Sequence, residues 1–259
     1  MKIVKIRARL HWGFILRQPI FTAAQPSIKY PSLTSIIGAL SYGYAKLMNL
    51  PEVTIINNGI YSTAAKLLAK CNWVTYSIKL PSAELGVIET RDISKVSLIL
   101  GIRRENIYPG SIYLWGIQVH GKVYLPDTPI TITIFPKEDS ITEIAKASWL
   151  MIRLGARESP ISVDEVRILS LRDTVSERVK TKFIFPSELA VKVHGLYDEV
   201  ELPYPNVEWW SLGVVKDPRK YLRKFIIPKG EVNVELKKGY SRLYIDGEGD
   251  YYIVPVRTW

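Results

Sequence analysis

Apolar and polar side chains alternate along the start of the chain. Residues 2–12 read Lys-Ile-Val-Lys-Ile-Arg-Ala-Arg-Leu-His-Trp, which is typical of a half-buried β-strand. Ile3, Ile6 and Leu10 do not share one parity, so a β-bulge or a short stretch buried on both faces is expected. The sequence therefore predicts an irregular strand here.

A helix is predicted next, after a loop that contains three prolines. Its apolar residues recur at spacings of three and four and form the stripe Leu33, Ile36, Ile37, Leu40, Tyr44 and Leu47. Ser35, Ala39 and Gly43 form a second ridge, made of small side chains at four-residue spacing. We expect another backbone to approach the helix closely along this ridge.

Further segments complete the first two thirds of the chain. Strand-like segments lie at 73–80, 112–119, 130–135 and 161–170, whereas 81–110 reads as irregular. A second helix is predicted from Ser140, because Ser140-Ile-Thr-Glu143 matches a capping box, and Gly155 is its expected C-terminal stop.

The order of these elements is strand, helix, strand, insertion, strand, helix, strand. This is the split βαβ arrangement of ferredoxin-like and RNA-recognition domains. From about residue 180 the pattern changes to short β segments separated by turns, such as Pro228-Lys-Gly230. We therefore predict an α+β protein with a ferredoxin-like (βαββαβ) domain over 1–178 and a small β-rich domain over 179–259.

The positive charge is concentrated at the start of the chain. The formal net charge is +10, and residues 1–51 supply +7 of it through seven cations and no acid: Lys2, Lys5, Arg7, Arg9, Arg17, Lys29 and Lys46. Such asymmetry indicates binding to nucleic acid, or less often to an anionic membrane surface. It favours a polyanionic partner.

Two local patterns agree with a polyanion. The predicted helix start at Ser32, Thr34 and Ser35 carries hydroxyls and no acid, and backbone N–H groups at a helix start favour a phosphate. Arg103 and Arg104 precede Tyr108, and arginines beside aromatic rings suit phosphate clamping and base stacking on single-stranded RNA. A solvated loop face explains the arginine pair equally well.

The sequence contains no strong catalytic constellation. The three histidines, His11, His120 and His194, lie in separate segments without metal-ligand spacing, so neither a metal nor a cofactor is expected. Asp198 and Glu199 read as an exposed turn, and Asp246-Gly-Glu-Gly249 reads as a hairpin turn. With a single cysteine and neither a signal peptide nor a membrane span, a cytoplasmic protein is expected.

Three blocks in this order resemble one CRISPR-associated family. They are Tyr30-Pro-Ser-Leu-Thr-Ser-Ile-Ile-Gly-Ala-Leu40, Arg103-Arg-Glu-Asn-Ile-Tyr-Pro-Gly-Ser-Ile-Tyr-Leu-Trp115 and Arg153-Leu-Gly-Ala-Arg-Glu-Ser-Pro-Ile-Ser-Val163. The chain resembles the Cas-five family of the RAMP superfamily, in the form found in archaeal type I-A antiviral complexes. The resemblance covers roughly residues 1–170.

The resemblance implies a ferredoxin-like RAMP domain with a β-hairpin thumb and a smaller C-terminal domain. Such a protein holds the repeat-derived 5′ handle of the guide RNA (crRNA) and caps a backbone of Cas-seven subunits. It also borders the large Cas-eight subunit, so that target DNA is a partner only through the complex.

On these residues, the resemblance implies three groups of RNA contacts. The helix start at Ser32, Thr34 and Ser35 would receive handle phosphates, helped by Arg17 and Lys29. The insertion at about 81–110, with Arg91, Arg103 and Arg104, would be the thumb or its base. Arg157 and Ser159 would face the same RNA.

The expected function is a non-catalytic RNA-binding scaffold of a type I-A Cascade complex. Two alternatives stay open from the sequence. Some relatives cleave precursor crRNA without a metal, and His11 or His120 could serve such a reaction, although neither lies in a shared block. The chain could also be the equivalent subunit of a type III complex.

Overall fold

The structure is a computed structural model, and it describes residues 1–18, 26–82, 87–97, 115–212 and 217–256. The protein is a mixed structure of helices and strands in which strands predominate. Three α-helices occur in the described ranges: α1 (Leu33–Leu47), α2 (Ala64–Leu68) and α3 (Ile141–Ser148).

The strands are numbered in chain order. The first nine are β1 (Lys2–Leu10), β2 (Gly13–Phe14), β3 (Val53–Ile56), β4 (Gly59–Ser62), β5 (Cys71–Ile78), β6 (Ile88–Ser97), β7 (Trp115–Tyr124), β8 (Thr128–Pro136) and β9 (Ile161–Thr174). The others are β10 (Arg178–Thr181), β11 (Phe185–Pro186), β12 (Ala190–His194), β13 (Tyr197–Pro203), β14 (Leu222–Pro228), β15 (Val232–Leu236), β16 (Ser241–Asp246) and β17 (Tyr251–Pro255).

A six-stranded sheet in the order β17-β16-β9-β1-β8-β5 organises the molecule. All neighbouring strands in it are antiparallel, and β1 lies at its centre, with Ile6 opposite Ile132 of β8 and Val166 of β9. The register of β1 against β9 shifts between Arg7 and Ala8. This shift is the irregularity that the apolar pattern of the first strand predicts.

The two longer helices pack together through the predicted ridge of small side chains. A Cβ atom added to Gly43 of α1 would lie 2.2 Å from the carbonyl oxygen of Ala147 in α3. This position therefore requires glycine, because any side chain would collide with backbone. The stripe from Leu33 to Tyr44 is buried, and α1 has the bounds that its periodicity predicts.

The second helix begins where it is predicted, directly after Ser140, but it differs from the prediction in its cap and in its C-terminal end. A 3₁₀ turn at Glu138–Ser140 precedes α3, and Ser140 donates its hydroxyl to Asp139 instead of capping the helix. The capping-box prediction is therefore wrong. The helix ends at Ser148, so Gly155 is not its stop; this glycine lies in the following loop with φ +110°.

Smaller sheets flank the central one. Strands β6 and β7 pair along their whole length as an antiparallel hairpin, to which the short β2 adds an edge. The expectation of an irregular stretch at 81–110 is therefore wrong for Ile88–Ser97. Residues 98–114 lie outside the described part, and so do the first three residues of the predicted strand at 112–119, whereas its residues 115–119 belong to β7.

The C-terminal third forms two three-stranded sheets, β10-β15-β12 and β11-β14-β13, around a small core of its own. Its last two strands leave this region, because β16 pairs with β9 and extends the central sheet. Asp198 and Glu199 belong to β13, so the prediction of an exposed turn there is wrong. The domain boundary at 178/179 stays a prediction.

Two glycines of α1 test the close approach of the helices. Gly43→Ala should lower the free energy of unfolding by about 1–3 kcal/mol, because the new methyl group collides with Ala147. Gly38→Ala is the matched control: nothing lies within 4 Å of its added Cβ, so it should stabilise the helix by about 0.4–1 kcal/mol. Urea unfolding of both variants measures the difference; equal effects would contradict the packing.

Candidate nucleic-acid interface

Lys5 of β1 is buried among acids from the last hairpin. Its ammonium donates hydrogen bonds to Asp246 Oδ2 at 2.9 Å, Glu248 Oε2 at 2.7 Å and Asp250 Oδ2 at 2.7 Å. The side chains of Lys5 and Asp246 are 3% and 0% exposed. The predicted hairpin turn at Asp246–Gly249 is thus present and also binds the first strand.

Arg7 and Arg9 project from the same face of β1 as Lys5. Arg7 pairs with Glu165 at 3.0 Å and Glu248 at 3.3 Å, and Arg9 pairs with Asp127 at 2.9 Å. Three of the seven cations in the opening stretch are therefore engaged by acids from distant parts of the chain. The charge asymmetry of the sequence overstates the positive charge that this stretch presents to a ligand.

The pKa values of this cluster shift in the directions expected for ion pairs. Burial opposes the charged form of Asp246, but hydrogen bonds from Lys5 and Tyr252 outweigh it and lower its pKa. The hydrogen bond from Lys5 also lowers the pKa of Glu248. Burial likewise opposes the charge on Lys5, yet its bonds to the three carboxylates raise its pKa. These carboxylates are grouped closely enough to ligate a metal, but the Lys5 ammonium is bound to all three.

The start of α1 uses its hydroxyls within the protein. Ser32 is the N-cap, and its Oγ accepts a hydrogen bond from the backbone N–H of Ser35. The same Oγ lies 2.8 Å from the Thr34 hydroxyl and 2.7 Å from the Ser35 hydroxyl. Ser32 and Thr34 are buried, whereas Ser35 is partly exposed. These side chains therefore shape the helix start, and of the three only Ser35 reaches the surface.

Tyr30 joins the approach to α1 to the C-terminal third. Its hydroxyl donates to Asp198 Oδ2 at 2.6 Å, and Lys229 pairs with the other oxygen of that carboxylate at 2.9 Å. Burial opposes the charge on Asp198, but Tyr30, Lys229 and Lys29 outweigh it and lower the pKa of Asp198. Sequence reasoning missed this contact, since Tyr30 and Asp198 carry no local signal of their pairing.

A short ladder brings the predicted cations together. Ile28 donates its backbone N–H to Leu16 O at 2.6 Å, and Arg17 forms a bridge with Ser27. Arg17 and Lys29 are thereby held on neighbouring segments, and both are exposed.

The loop after α3 joins the same ladder. Ile15 donates its backbone N–H to Ser159 Oγ at 2.9 Å and accepts one from Ala156 N–H at 3.2 Å. Ser159 is completely buried, whereas Arg157 is exposed. The residues that follow β1 therefore connect the third sequence block to the segment that leads into the first block. Arg17, Lys29 and Arg157 make no ion pair with another described residue, and they form the candidate interface.

The remaining predicted contacts lie on the β6–β7 hairpin or beyond it. Arg91 lies in β6, with its backbone opposite Gly121 of β7. A Cβ added to Gly121 would lie 2.1 Å from Ser27 N, so the hairpin contacts the segment that carries Lys29. Arg103 and Arg104 lie outside the described residues.

The histidines differ in their surroundings. His11 is exposed, and its Nε2 lies 2.7 Å from Ser162 Oγ, while His194 is exposed on the outer strand β12. Among the described residues, neither forms a hydrogen bond to a second histidine, a cysteine or a lysine. In the described ranges, no helix is long and apolar enough to cross a bilayer.

The buried lysine yields a stability prediction. Lys5→Met should lower the free energy of unfolding by about 3–5 kcal/mol, because it leaves three carboxylates close together without their cation. Arg9→Met on the same face of β1 is the control and should cost far less, since its ion pairs are exposed. Chemical unfolding at pH 7 compares them; equal losses would contradict a special role for Lys5.

The lowered pKa values give the protein a predictable acid response. Asp246 and Glu248 titrate below their ordinary values of 3.8 and 4.5 when folded, so their stabilising effect is complete above these values. It is lost as the pH falls below about 5 and through the folded pKa values. The urea concentration at the midpoint of wild-type unfolding should therefore decrease as the pH is lowered from about 5 to about 2. The decrease should be smaller in Lys5→Met. If the midpoints of the two proteins changed with pH by the same amount, the Lys5 carboxylate cluster would be excluded as the cause of the acid response.

Comparison with known proteins agrees with the sequence blocks. No model of a known protein family matches the chain. The chain is 29% identical over 241 residues to "CRISPR system aCascade subunit Cas5 1" of Saccharolobus solfataricus, covering 92% of this chain and 95% of the relative. "CRISPR-associated protein Cas5 2" of the same organism is 26% identical over 212 residues, covering 80% of this chain and 76% of that relative.

A solved structure shares the fold. A CRISPR protein from Archaeoglobus fulgidus superposes with a TM-score of 0.62 at 17% identity, over 99% of this chain and 100% of that one. The β-rich mixed fold is thus similar to that of a CRISPR protein. The resemblance indicated by the three sequence blocks is confirmed: this chain has archaeal homologues named Cas5 over most of its length.

Proposed function

We propose that this chain is the Cas5 subunit of an archaeal type I-A Cascade complex, where it holds the repeat-derived 5′ handle of the crRNA. In this role it is a scaffold and not an enzyme, and it works in the cytoplasm. One observation carries the proposal: the similarity to an aCascade subunit extends over 92% of this chain and 95% of that protein.

The strand order supports a ferredoxin-like RAMP core. The elements β1, α1, β5, β8, α3 and β9 occur in this order along the chain. In the sheet, the four strands lie side by side in the order β9, β1, β8, β5, which is fourth, first, third, second by chain position. This order with antiparallel neighbours is the arrangement of the βαββαβ fold. The β6–β7 hairpin is inserted between the second and third of these strands, and we assign it as the thumb.

The RNA surface follows from exposure and charge. Arg17, Lys29 and Arg157 are exposed cations that the ladder at residues 15–28 holds close together, so they would contact handle phosphates. The hydroxyls of Ser32, Thr34 and Ser159 would position this surface from within. Ser35 and the thumb arginines Arg91, Arg103 and Arg104 complete the proposed set.

The partners follow from the same assignment. The thumb would pack against the first Cas-seven backbone subunit, and the large Cas-eight subunit would lie beside the chain. Target DNA would reach the chain only through the assembled complex.

The RNA bound by the complex tests the proposal. The tagged full-length chain, produced with its backbone subunits and a CRISPR array, should retain RNAs that share one repeat-derived 5′ end. Sequencing of the co-purified RNA is the measurement. RNA with random 5′ ends, or none, would overturn the assignment.

The salt dependence of binding tests the three cations. The triple variant Arg17→Ala/Lys29→Ala/Arg157→Ala should reduce the slope of log affinity against log salt by about 2, because each single-strand phosphate contact contributes about 0.7. Lys66→Ala/Lys146→Ala/Arg172→Ala removes three exposed cations elsewhere and should leave the slope unchanged. Titration of the identified handle RNA gives both slopes, and a common slope would refute the proposed surface.

A further inference from the structure

A groove lies beside the proposed RNA surface, between β13 and the segment that leads into α1. It encloses about 420 Å³, within the range of ~300–1,000 Å³ that is usual for small-molecule sites. Ile28, Pro203 and Leu222 give it an apolar floor. The groove therefore offers a flat, uncharged group a place to be buried.

Two carboxylates lie along one wall of the groove. Glu199 and Glu201 alternate with Val200 along β13, so they share one face of the strand, and both are exposed. Neither forms an ion pair with another described residue. Gln18, on the opposite side, adds an amide. These groups provide several hydrogen-bond acceptors above an apolar floor.

Cations lie on both sides of these carboxylates. Lys29 lines the groove and Arg17 precedes Gln18, so both belong to the proposed RNA surface. On β14, the exposed Lys224 lies directly opposite Glu201 in the strand register. A polyanion would be attracted by these cations and repelled by Glu199 and Glu201.

This charge pattern fits a nucleotide strand with one base turned inward. Phosphates would lie against the flanking cations, while a neutral base would enter the groove and keep its own phosphate away from Glu199 and Glu201. Carboxylates accept hydrogen bonds from exocyclic amino groups, as Glu and Asp do from the N4 amino group of cytosine. They repel the O4 carbonyl of uracil at the equivalent position.

We propose that this groove is a base-reading site, in which Glu199 and Glu201 select an amino-bearing base of bound single-stranded RNA. The site rests on the proposed RNA-binding function and adds sequence preference to it. A cationic peptide is the less suitable ligand, because Lys29 lines the groove and Lys224 lies opposite Glu201.

The preference is measurable with two short RNAs that differ in one functional group. Fluorescence anisotropy of the full-length chain with rC8 and rU8 octamers gives two dissociation constants. We expect rC8 to bind about tenfold more tightly than rU8. In the double variant Glu199→Gln/Glu201→Gln, the rU8 dissociation constant divided by the rC8 dissociation constant should fall to between about 1 and about 3. A glutamine amide can hydrogen-bond to both bases, because it carries a donor and an acceptor.

A matched control separates base reading from simple repulsion. Glu52→Gln/Glu138→Gln removes the same charge from exposed positions outside the groove. This control should strengthen the binding of both octamers slightly and leave the ratio of their dissociation constants unchanged. An unchanged ratio in Glu199→Gln/Glu201→Gln would overturn the base-reading site while leaving RNA binding intact. Failure of the wild-type chain to bind either octamer, and to retain RNA in its complex, would overturn the proposed function as well.

Discussion

The structure depends on one buried cation. Lys5 lies on the central strand of the main sheet, and its ammonium donates hydrogen bonds to three carboxylates of the β16–β17 hairpin. An unpaired ammonium at this depth would be strongly unfavourable, so the first strand and the last hairpin stabilise each other. This pairing explains why the C-terminal strands extend the central sheet. It also fixes which cations of the opening stretch are left for a ligand.

Sequence periodicity predicted those elements whose cause is local. The bounds of α1, the strand at β1 with its irregularity, and the small-residue contact at Gly43 all follow from side chains within one helical turn or one strand. Ser140 failed as a cap because its hydroxyl bonds to the adjacent Asp139 in a 3₁₀ turn. Capping motifs compete with such local alternatives, and sequence alone does not decide between them.

The candidate site was predictable in its parts but not in its electrostatics. The basic opening stretch identified Arg17 and Lys29, and the third sequence block identified Arg157; the structure holds all three near one ladder. The sequence could not reveal that Lys5, Arg7 and Arg9 are neutralised, because their partners are 118 to 245 residues away. Asp198 was misread for the same reason, since Tyr30 lies 168 residues before it. Pairings at such separations are set by tertiary structure.

The position of β1 also has a consequence for the order of folding. Its sheet neighbours β8 and β9 begin more than 120 residues later, and the partners of Lys5 begin at residue 246. During synthesis the first strand therefore waits for about half of the chain before β8 exists, and for almost the whole chain before the partners of Lys5 exist. A ribosome-bound fragment that ends before residue 246 presents a strand without the acids that neutralise it. Folding of this protein is thus expected to finish after translation, when both ends of the chain meet.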